Sequence, residues 1–358
     1  MTSVAVVGLG AAVRNIHFPA YSLLSREVSV VAGCDPDRQT REAASSRGRV
    51  PITFETPEEM LRNVKPDVVS ICTPPSLHRE HVLLALSHRC HVFCEKPLAE
   101  DLDQADEMIR AAAAAGRRVV INNQFPYMKI HLAAKKAIGT PEFGDLVHLH
   151  AWHTMRTNST TEAGWRGHLR RRLCFEFGIH IFELVRFFFE QTPVRLMAHM
   201  PGASEASCDA VNVIAMEFAD GRGASMMLDR LAVGPDRYLE VRLDGTSAII
   251  RTSIGGQVEF RAGLHTRERR PFVGFSLVKG GLATLESGTR SRIIAQDDLN
   301  PFAGSTAYHF SQFLRAIGEN RTPAGDIADN RKTLALVMAA YDSASQGAWV
   351  RMGDYGVQ

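Results

Sequence analysis

The sequence predicts an α/β protein: an N-terminal doubly wound parallel sheet, followed by an α+β half with a large, mostly antiparallel open sheet. Three observations carry this. Short apolar runs alternate with helical patterns through the first 123 residues, as a parallel sheet with crossover helices requires. The first run ends in Gly8-Leu9-Gly10 and the second in Gly33-Cys34-Asp35. From Val194 onward, longer β-like segments are separated by turn residues such as Gly221-Arg222-Gly223 and Asp244-Gly245, which suit antiparallel pairing. Domains are expected over 1–123 and 124–358.

Composition narrows function before any motif does. The 358 residues include 45% apolar and 22% charged side chains, an ordinary globular balance with enough material for two buried cores. A net charge of +2 argues against nucleic acid or a membrane surface as partner. No apolar run reaches transmembrane length, and Ser3–Gly8 reads as a strand rather than part of a signal peptide. The six cysteines include no C-x-x-C pair, so reduced, buried thiols in a cytoplasmic protein are expected.

Val4–Val7 is the first strand, and a helix is expected from the Gly8-Leu9-Gly10-Ala11-Ala12-Val13 turn to about Leu24. Glycines let such a turn approach a pyrophosphate, and the helix start offers free N–H groups. Val13 stands where the dinucleotide fingerprint of a Rossmann fold has Gly or Ala. Val28–Ala32 is the second strand, and Asp35 beyond it occupies the place of a ribose-binding acid. Its carboxylate would accept from the ribose hydroxyls and repel a 2′-phosphate. NAD is therefore favoured over NADP, with Arg38 as a nearby cation that softens the preference.

Further strands are expected at Val50–Phe54, Val68–Cys72, His91–Cys94 and Val119–Asn122. Helices fall after Thr56, at Arg79–Ser87 and at Asp101–Ala115; Thr56 with Glu59 is a capping-box pattern. The loops Thr73-Pro74-Pro75 and Glu95-Lys96-Pro97 leave C-terminal strand ends, where open parallel sheets bind ligands. Cofactor contacts are expected from Gly8, Leu9, Gly10, Ala11, Ala12, Asp35, Arg38, Thr73, Pro74, His78, Glu95, Lys96 and Asn123. Lys96 alone has two readings: chemistry at the nicotinamide end, or an ion pair with its neighbour Glu95.

In the second half, Tyr127–Ile138 reads as a helix and Leu146–Trp152 as a strand with His148 and His150 on one face. No carboxylate or Cys joins them at ligand spacing, so no metal is expected. His153, near the strand end, is a candidate substrate contact. Trp165-Arg166-Gly167-His168 leads into Arg170-Arg171-Arg172. Those arginines fit first a solvated basic loop or subunit contact, and second a clamp for an anionic substrate such as a sugar acid or a nucleotide-linked sugar; Trp165, Arg166, Arg170 and Arg171 are the candidates. Glu176, His180 and Glu183 fall on one stripe of an otherwise apolar helix reaching Phe189. Glu176 and His180 suit a carboxylate orienting an imidazole for proton transfer, or a capped helix start with a satisfied core histidine. Strands are expected at Val194–Met200, Val211–Phe218, Ala224–Asp229, Tyr238–Asp244, Ala248–Thr252 and Gln257–Arg261. Leu264–Asn300 shows no clear periodicity and reads as an irregular excursion. Ala307–Ile317 and Ile327–Ser345 are expected helices.

Gly8-Leu9-Gly10, Asp35, Thr73-Pro74-Pro75 with His78, and above all Glu95-Lys96-Pro97 together resemble the Gfo/Idh/MocA oxidoreductases over nearly the whole chain. The resemblance implies NAD(P)-dependent hydride transfer at a secondary alcohol or ketone of a sugar, cyclitol or sugar derivative. Lys96 inherits contact with cofactor and substrate and a part in proton transfer. His180 matches the family histidine, and Glu176 stands in place of the usual aspartate four residues earlier. The same resemblance implies a homodimer or homotetramer through the C-terminal sheet, and a last helix packed on the nucleotide domain. It also admits a glycosidase or lyase acting through transient oxidation, and a non-catalytic cofactor- or sugar-sensing protein.

Overall fold

The computed structural model describes the chain except residues 156–163, 170, 202–208, 232–237, 255–256, 266–269, 279 and 358; side chains of 164, 168, 257–265 and 270–278 are likewise outside the description.

The first half alternates strand and helix. Its elements are β1 (Thr2–Val7), α1 (Phe18–Leu23), β2 (Val28–Cys34), α2 (Arg38–Ser46), β3 (Thr53–Phe54), α3 (Pro57–Asn63), β4 (Val68–Ile71), α4 (His78–Ser87), β5 (His91–Glu95), α5 (Leu102–Ala115) and β6 (Val119–Asn122). The strands form one parallel sheet in the order β3-β2-β1-β4-β5-β6. The order in which strands are added reverses between β1 and β4, so a crevice opens outside their C-terminal ends, the switch point at which such sheets bind ligands. Local chemistry sets the helix ends. Asp37, Thr56 and Asp101 each accept a main-chain N–H of the first turn that follows, and α5 stops at Gly116 with φ +61°, a conformation costly for other residues.

The second half begins with α6 (Lys129–Ala137), β7 (Leu146–Thr154) and α7 (Ile179–Phe189). The strands β8 (Arg195–His199), β9 (Val211–Glu217), β10 (Gly223–Asp229), β11 (Leu239–Gly245) and β12 (Ile249–Ile254) follow. After them come β13 (Gln257–His265), β14 (Arg270–Val278), β15 (Leu282–Ser287), β16 (Arg290–Gln296), α8 (Pro301–Gly318), α9 (Ile327–Gln346) and β17 (Val350–Arg351). Among the described residues one sheet runs β16-β15-β12-β11-β7-β10-β9-β8-β17, and β13 pairs only with β14. Within that sheet, among the described residues, only the β7–β10 pair is parallel.

The last two helices join the halves. Helix α8 lies against α1, burying Phe310 and Phe313 beside Phe93 of β5, with the Phe93 and Phe310 rings 4.9 Å apart. Each such side chain contributes roughly 1.5–3 kcal/mol by leaving water. Helix α9 packs on α5 and β6 of the first half and on α7 and β8 of the second. Arg331 of α9 grips Asp106 of α5 through two charge-assisted bonds of 2.5 and 2.9 Å.

Four expectations change. The helix after Gly10 is split into a π-helical turn, Val13–His17, and the short α1, with Val13 and His17 both buried. The third strand shrinks to Thr53–Phe54, since Pro51 has no N–H for a ladder. Helix α8 starts at Pro301 because Asn300 caps it and proline suits a first turn. Leu264–Asn300 is not irregular: it contains the end of β13 and all of β14, β15 and β16. Strands at a ribbon or sheet edge need not bury one face, so the alternation that reveals inner strands is weak there.

Candidate active site

A cavity of about 1120 Å³ runs from the switch point of the first sheet to the inner face of the second. That exceeds the usual range for one small ligand and leaves room for a dinucleotide and a substrate together.

At one end the cavity is lined by Gly8, Gly10, Ala11, Ala12, Asp35 and the Thr73–Pro74 loop. Gly8 has φ +83°, and a Cβ there would come within 3.0 Å of the Cys72 carbonyl oxygen and of Thr73. At Gly10 a Cβ would meet nothing within 4 Å, so the turn faces open space that a phosphate can fill. Leu9 is buried and does not line the cavity; its N–H donates to Asp35 Oδ2 at 2.9 Å. Asp35 Oδ1 accepts from the N–H of Asp37 at 2.9 Å. The carboxylate is thus fixed at the end of β2, on the cavity wall. These residues fit a nicotinamide dinucleotide, with the glycine turn at its phosphates and Asp35 at a ribose.

The same wall continues into the Glu95-Lys96-Pro97 loop, at the end of β5, whose Lys96–Pro97 bond is cis. Glu95 is buried, with Oε1 accepting from His17 at 2.7 Å and from Asn122 Nδ2 at 2.8 Å. Burial opposes its charge, but His17 first, then Asn122 and the Lys96 charge, together outweigh it and hold the carboxyl below its ordinary value. Burial likewise opposes a charged His17, and its contacts with Cys72, Tyr21 and Glu95 prevail to raise it well above the ordinary imidazole value. Glu95 is therefore paired with His17. Its one contact with Lys96 is a 3.3 Å bond from the lysine's main-chain N–H.

The Lys96 side chain instead crosses to the second half. Its Nζ donates to the main-chain carbonyl of Glu176 at 2.6 Å and lies 5.5 Å from the Phe177 ring centre. Burial lowers its pKa, and Arg166 adds to that; the Glu176 and Glu95 charges work the other way without cancelling it. Beside it, the His180 ring stacks on Phe125 with centroids 4.0 Å apart and planes 6° apart. Its Nδ1 has no partner among the described residues. Burial first, then the charges of Lys96 and His153, hold it well below the ordinary histidine value, so it is neutral at pH 7.

Glu176 does not orient His180. Its carboxylate accepts from Arg166 Nε at 2.9 Å and from Arg172 Nε at 3.2 Å. The longer Glu side chain reaches back along its own helix to Arg172, four residues away, rather than forward. That helix start is pinned by Asp209, whose carboxylate accepts the N–H groups of Arg172, Leu173 and Cys174 at 2.7, 3.0 and 2.9 Å. It also accepts from Tyr341 Oη and Asn212 Nδ2.

Other expected site residues lie elsewhere. His78 is fully buried and bonds the carbonyl oxygens of Pro97 and Thr73 at 2.7 and 2.9 Å, so it ties the two loops together and is not among the residues lining the cavity. Arg38 points outward to Glu42. Asn123 is buried behind the cavity wall. His153 is 1% exposed behind Phe177 and Tyr238; burial and Lys96 push it down to about 4. Arg171 turns away, with its guanidinium over the Tyr341 ring and 4.0 Å from Asp342. Arg170 lies outside the described residues. Trp165 and Arg166 do line the cavity. His148 and His150 both contact Ser225 Oγ, and no three metal-ligating side chains cluster among the described residues. Nor is any described helix long and apolar enough to cross a membrane.

Sequence reasoning missed His17, Phe125, Asp209 and Tyr238. His17 carried a signal, a polar residue four positions after the buried Val13. Asp209 carried none, because apart from Asn212 its partners are 35 to 37 residues upstream and 132 downstream.

Comparison with known proteins agrees with this geometry. A family profile described as "Oxidoreductase family, NAD-binding Rossmann fold" matches residues 2–123. The GFO/IDH/MocA C-terminal domain matches residues 131–251. The chain is 38% identical to the D-glucoside 3-dehydrogenase of Escherichia coli over 114 residues, which cover 32% of each protein. It is 26% identical to the D-apiose dehydrogenase of Paraburkholderia graminis, across 97% of this chain and 89% of that one. An inositol 2-dehydrogenase of Pseudarthrobacter chlorophenolicus is 30% identical over 52% of this chain and 53% of its own. Among solved structures, an oxidoreductase from Agrobacterium radiobacter in complex with NAD+, L-tartaric acid and magnesium has the same fold. Its TM-score is 0.82 at 18% identity, with 99% of both chains covered. With an NAD-binding Rossmann half and the matching C-terminal half in one chain, this protein belongs to the Gfo/Idh/MocA family of oxidoreductases.

Proposed function

We propose that this protein is an NAD-dependent dehydrogenase acting on a secondary alcohol, or the matching ketone, of a sugar, cyclitol or sugar derivative. The observation that carries the reading is Lys96. It is a half-buried amine on the wall of a dinucleotide-sized cavity, bonded to a carbonyl oxygen rather than a carboxylate, with its pKa lowered. A lysine kept for a structural ion pair would sit against Glu95 and stay charged. The names of the sugar and inositol dehydrogenases it resembles support the substrate class.

Bound across Gly8–Ala12 and Asp35, a nicotinamide dinucleotide would supply or accept the hydride. NAD rather than NADP is favoured by the Asp35 carboxylate on the wall and by Arg38 being turned to Glu42. Arg41, the next cation, donates to the main-chain carbonyls of Asp35 and Pro36. In the oxidative direction the neutral amine of Lys96 takes the proton of the substrate hydroxyl; in the reductive direction the ammonium returns it. The Glu176 carbonyl fixes the direction in which Nζ points. Neutral His180, held flat against Phe125, offers the substrate a second hydrogen bond from the same side. Glu95, anchored by His17 and Asn122, holds the main chain of the loop.

We place the protein in the cytoplasm and read it as a homo-oligomer through the outer face of the second sheet. On that face the exposed Trp152 and Val213 flank Met227 in register across β7, β10 and β9.

A screen of sugars, inositols and sugar acids for NADH formation tests the main reading. Net NADH with at least one of them is expected. Bond cleavage without net NADH would point instead to an enzyme that oxidises only transiently. Binding with no turnover of any kind would point to a sensor.

A further inference from the structure

We propose that Arg166 is the recognition group for a substrate anion, and that the substrate is a sugar acid whose carboxylate it binds; this rests on the dehydrogenase reading above. Arg166 lines the cavity together with Trp165, Lys96, His180 and Tyr238. Its guanidinium lies over the Trp165 ring at 4.4 Å, which fixes its plane. Only Nε is engaged, with Glu176 Oε1 at 2.9 Å. The two terminal nitrogens make no hydrogen bond to any described residue, so the side chain is held in place but its outer edge is unspent.

The Glu176 pairing does not explain Arg166 away. The other oxygen of Glu176 accepts from Arg172, and both of those side chains are 3% exposed. Arg172 thus supplies the buried counter-charge, whereas the Arg166 side chain is 44% exposed. Glu95 is matched by His17. A carboxylate fits the outer edge of the Arg166 guanidinium, because that edge presents parallel N–H groups that match two carboxylate oxygens. Loss of one charge-assisted contact of this kind costs roughly 1.5–3 kcal/mol in general, or about ten- to a hundred-fold in affinity.

The test measures binding, so that it stands apart from turnover. The full chain with saturating NAD+ is titrated with D-gluconate, D-glucuronate and D-galacturonate, and with neutral D-glucose and D-galactose, by calorimetry. The same set is run on Arg166→Gln and Arg166→Lys. At least one acid should bind ten-fold or more tightly than its neutral counterpart. That preference should vanish in Arg166→Gln and weaken in Arg166→Lys, with cofactor affinity in each variant measured separately to show that the fold is retained. Equal or tighter binding of the neutral sugars, binding of none of the five at millimolar concentration, or a preference unchanged in Arg166→Gln would each overturn the assignment. Absence of NADH formation with a tightly bound acid would leave Arg166 as the anion site and remove the dehydrogenase reading instead.

Discussion

The two walls of the cavity hold one buried glutamate each, and the two are used differently. Glu95 ends a strand and meets His17 and Asn122 inside the same half of the molecule. Its carboxylate is spent on keeping a loop in place. Glu176 sits in a helical turn, lends its main-chain carbonyl to Lys96 across the cavity, and gives its carboxylate to two arginines. In the function proposed above, the first wall is the mount for the proton-transfer group and the second presents Arg166 to the substrate.

Substitutions can break that contrast. The largest effect belongs to the first wall. Lys96→Ala should lower kcat by at least about 10³-fold, within the range for general acid–base groups, while NAD still binds, as followed by fluorescence titration. Turnover near the wild-type rate would end the division of labour described above.

Next comes cofactor choice. Asp35→Ser removes the negative charge at the end of β2 and should shift the ratio of kcat/KM for NAD over NADP by roughly 10- to 100-fold toward NADP. An unchanged ratio in coupled assays would mean that Asp35 serves only the turn through Leu9 and Asp37.

The smallest effect belongs to the support of the second wall. Asp209→Asn keeps the shape but weakens the N–H cap over Arg172–Cys174. It should cost about 1–3 kcal/mol in urea unfolding and lower kcat more than it changes NAD affinity, since it loosens the helix that bears Glu176 and His180. Equal losses in both would make Asp209 a general stabiliser.

The contrast also explains what could be read from the sequence. The first wall was legible because its parts follow local rules: glycines after a strand, an acid after the next strand, a lysine at a strand end. The doubly wound order follows from the same alternation. The second wall depended on contacts that no spacing shows. Nothing local reveals that Glu176 would turn to Arg166 and Arg172 instead of His180, or that Arg171 would swing to Tyr341 and Asp342. His78 was placed at the cofactor because it follows the Thr73–Pro75 loop, yet the fold uses it to tie that loop to Pro97. Edge strand β16 escaped because it buries none of its residues fully, so the two-residue period is faint.

The central claim is that Lys96 transfers the proton with a lowered pKa, and the pH dependence of kcat/KM tests it most directly. A base must be unprotonated to accept, so substrate oxidation should rise with pH through one ionisation below the ordinary lysine value of 10.5, and ketone reduction should fall through the same ionisation. His180, neutral throughout this range, adds no limb near neutrality. The residual activity of Lys96→Ala should show no such limb. The same limb, unchanged in that variant, would contradict the account.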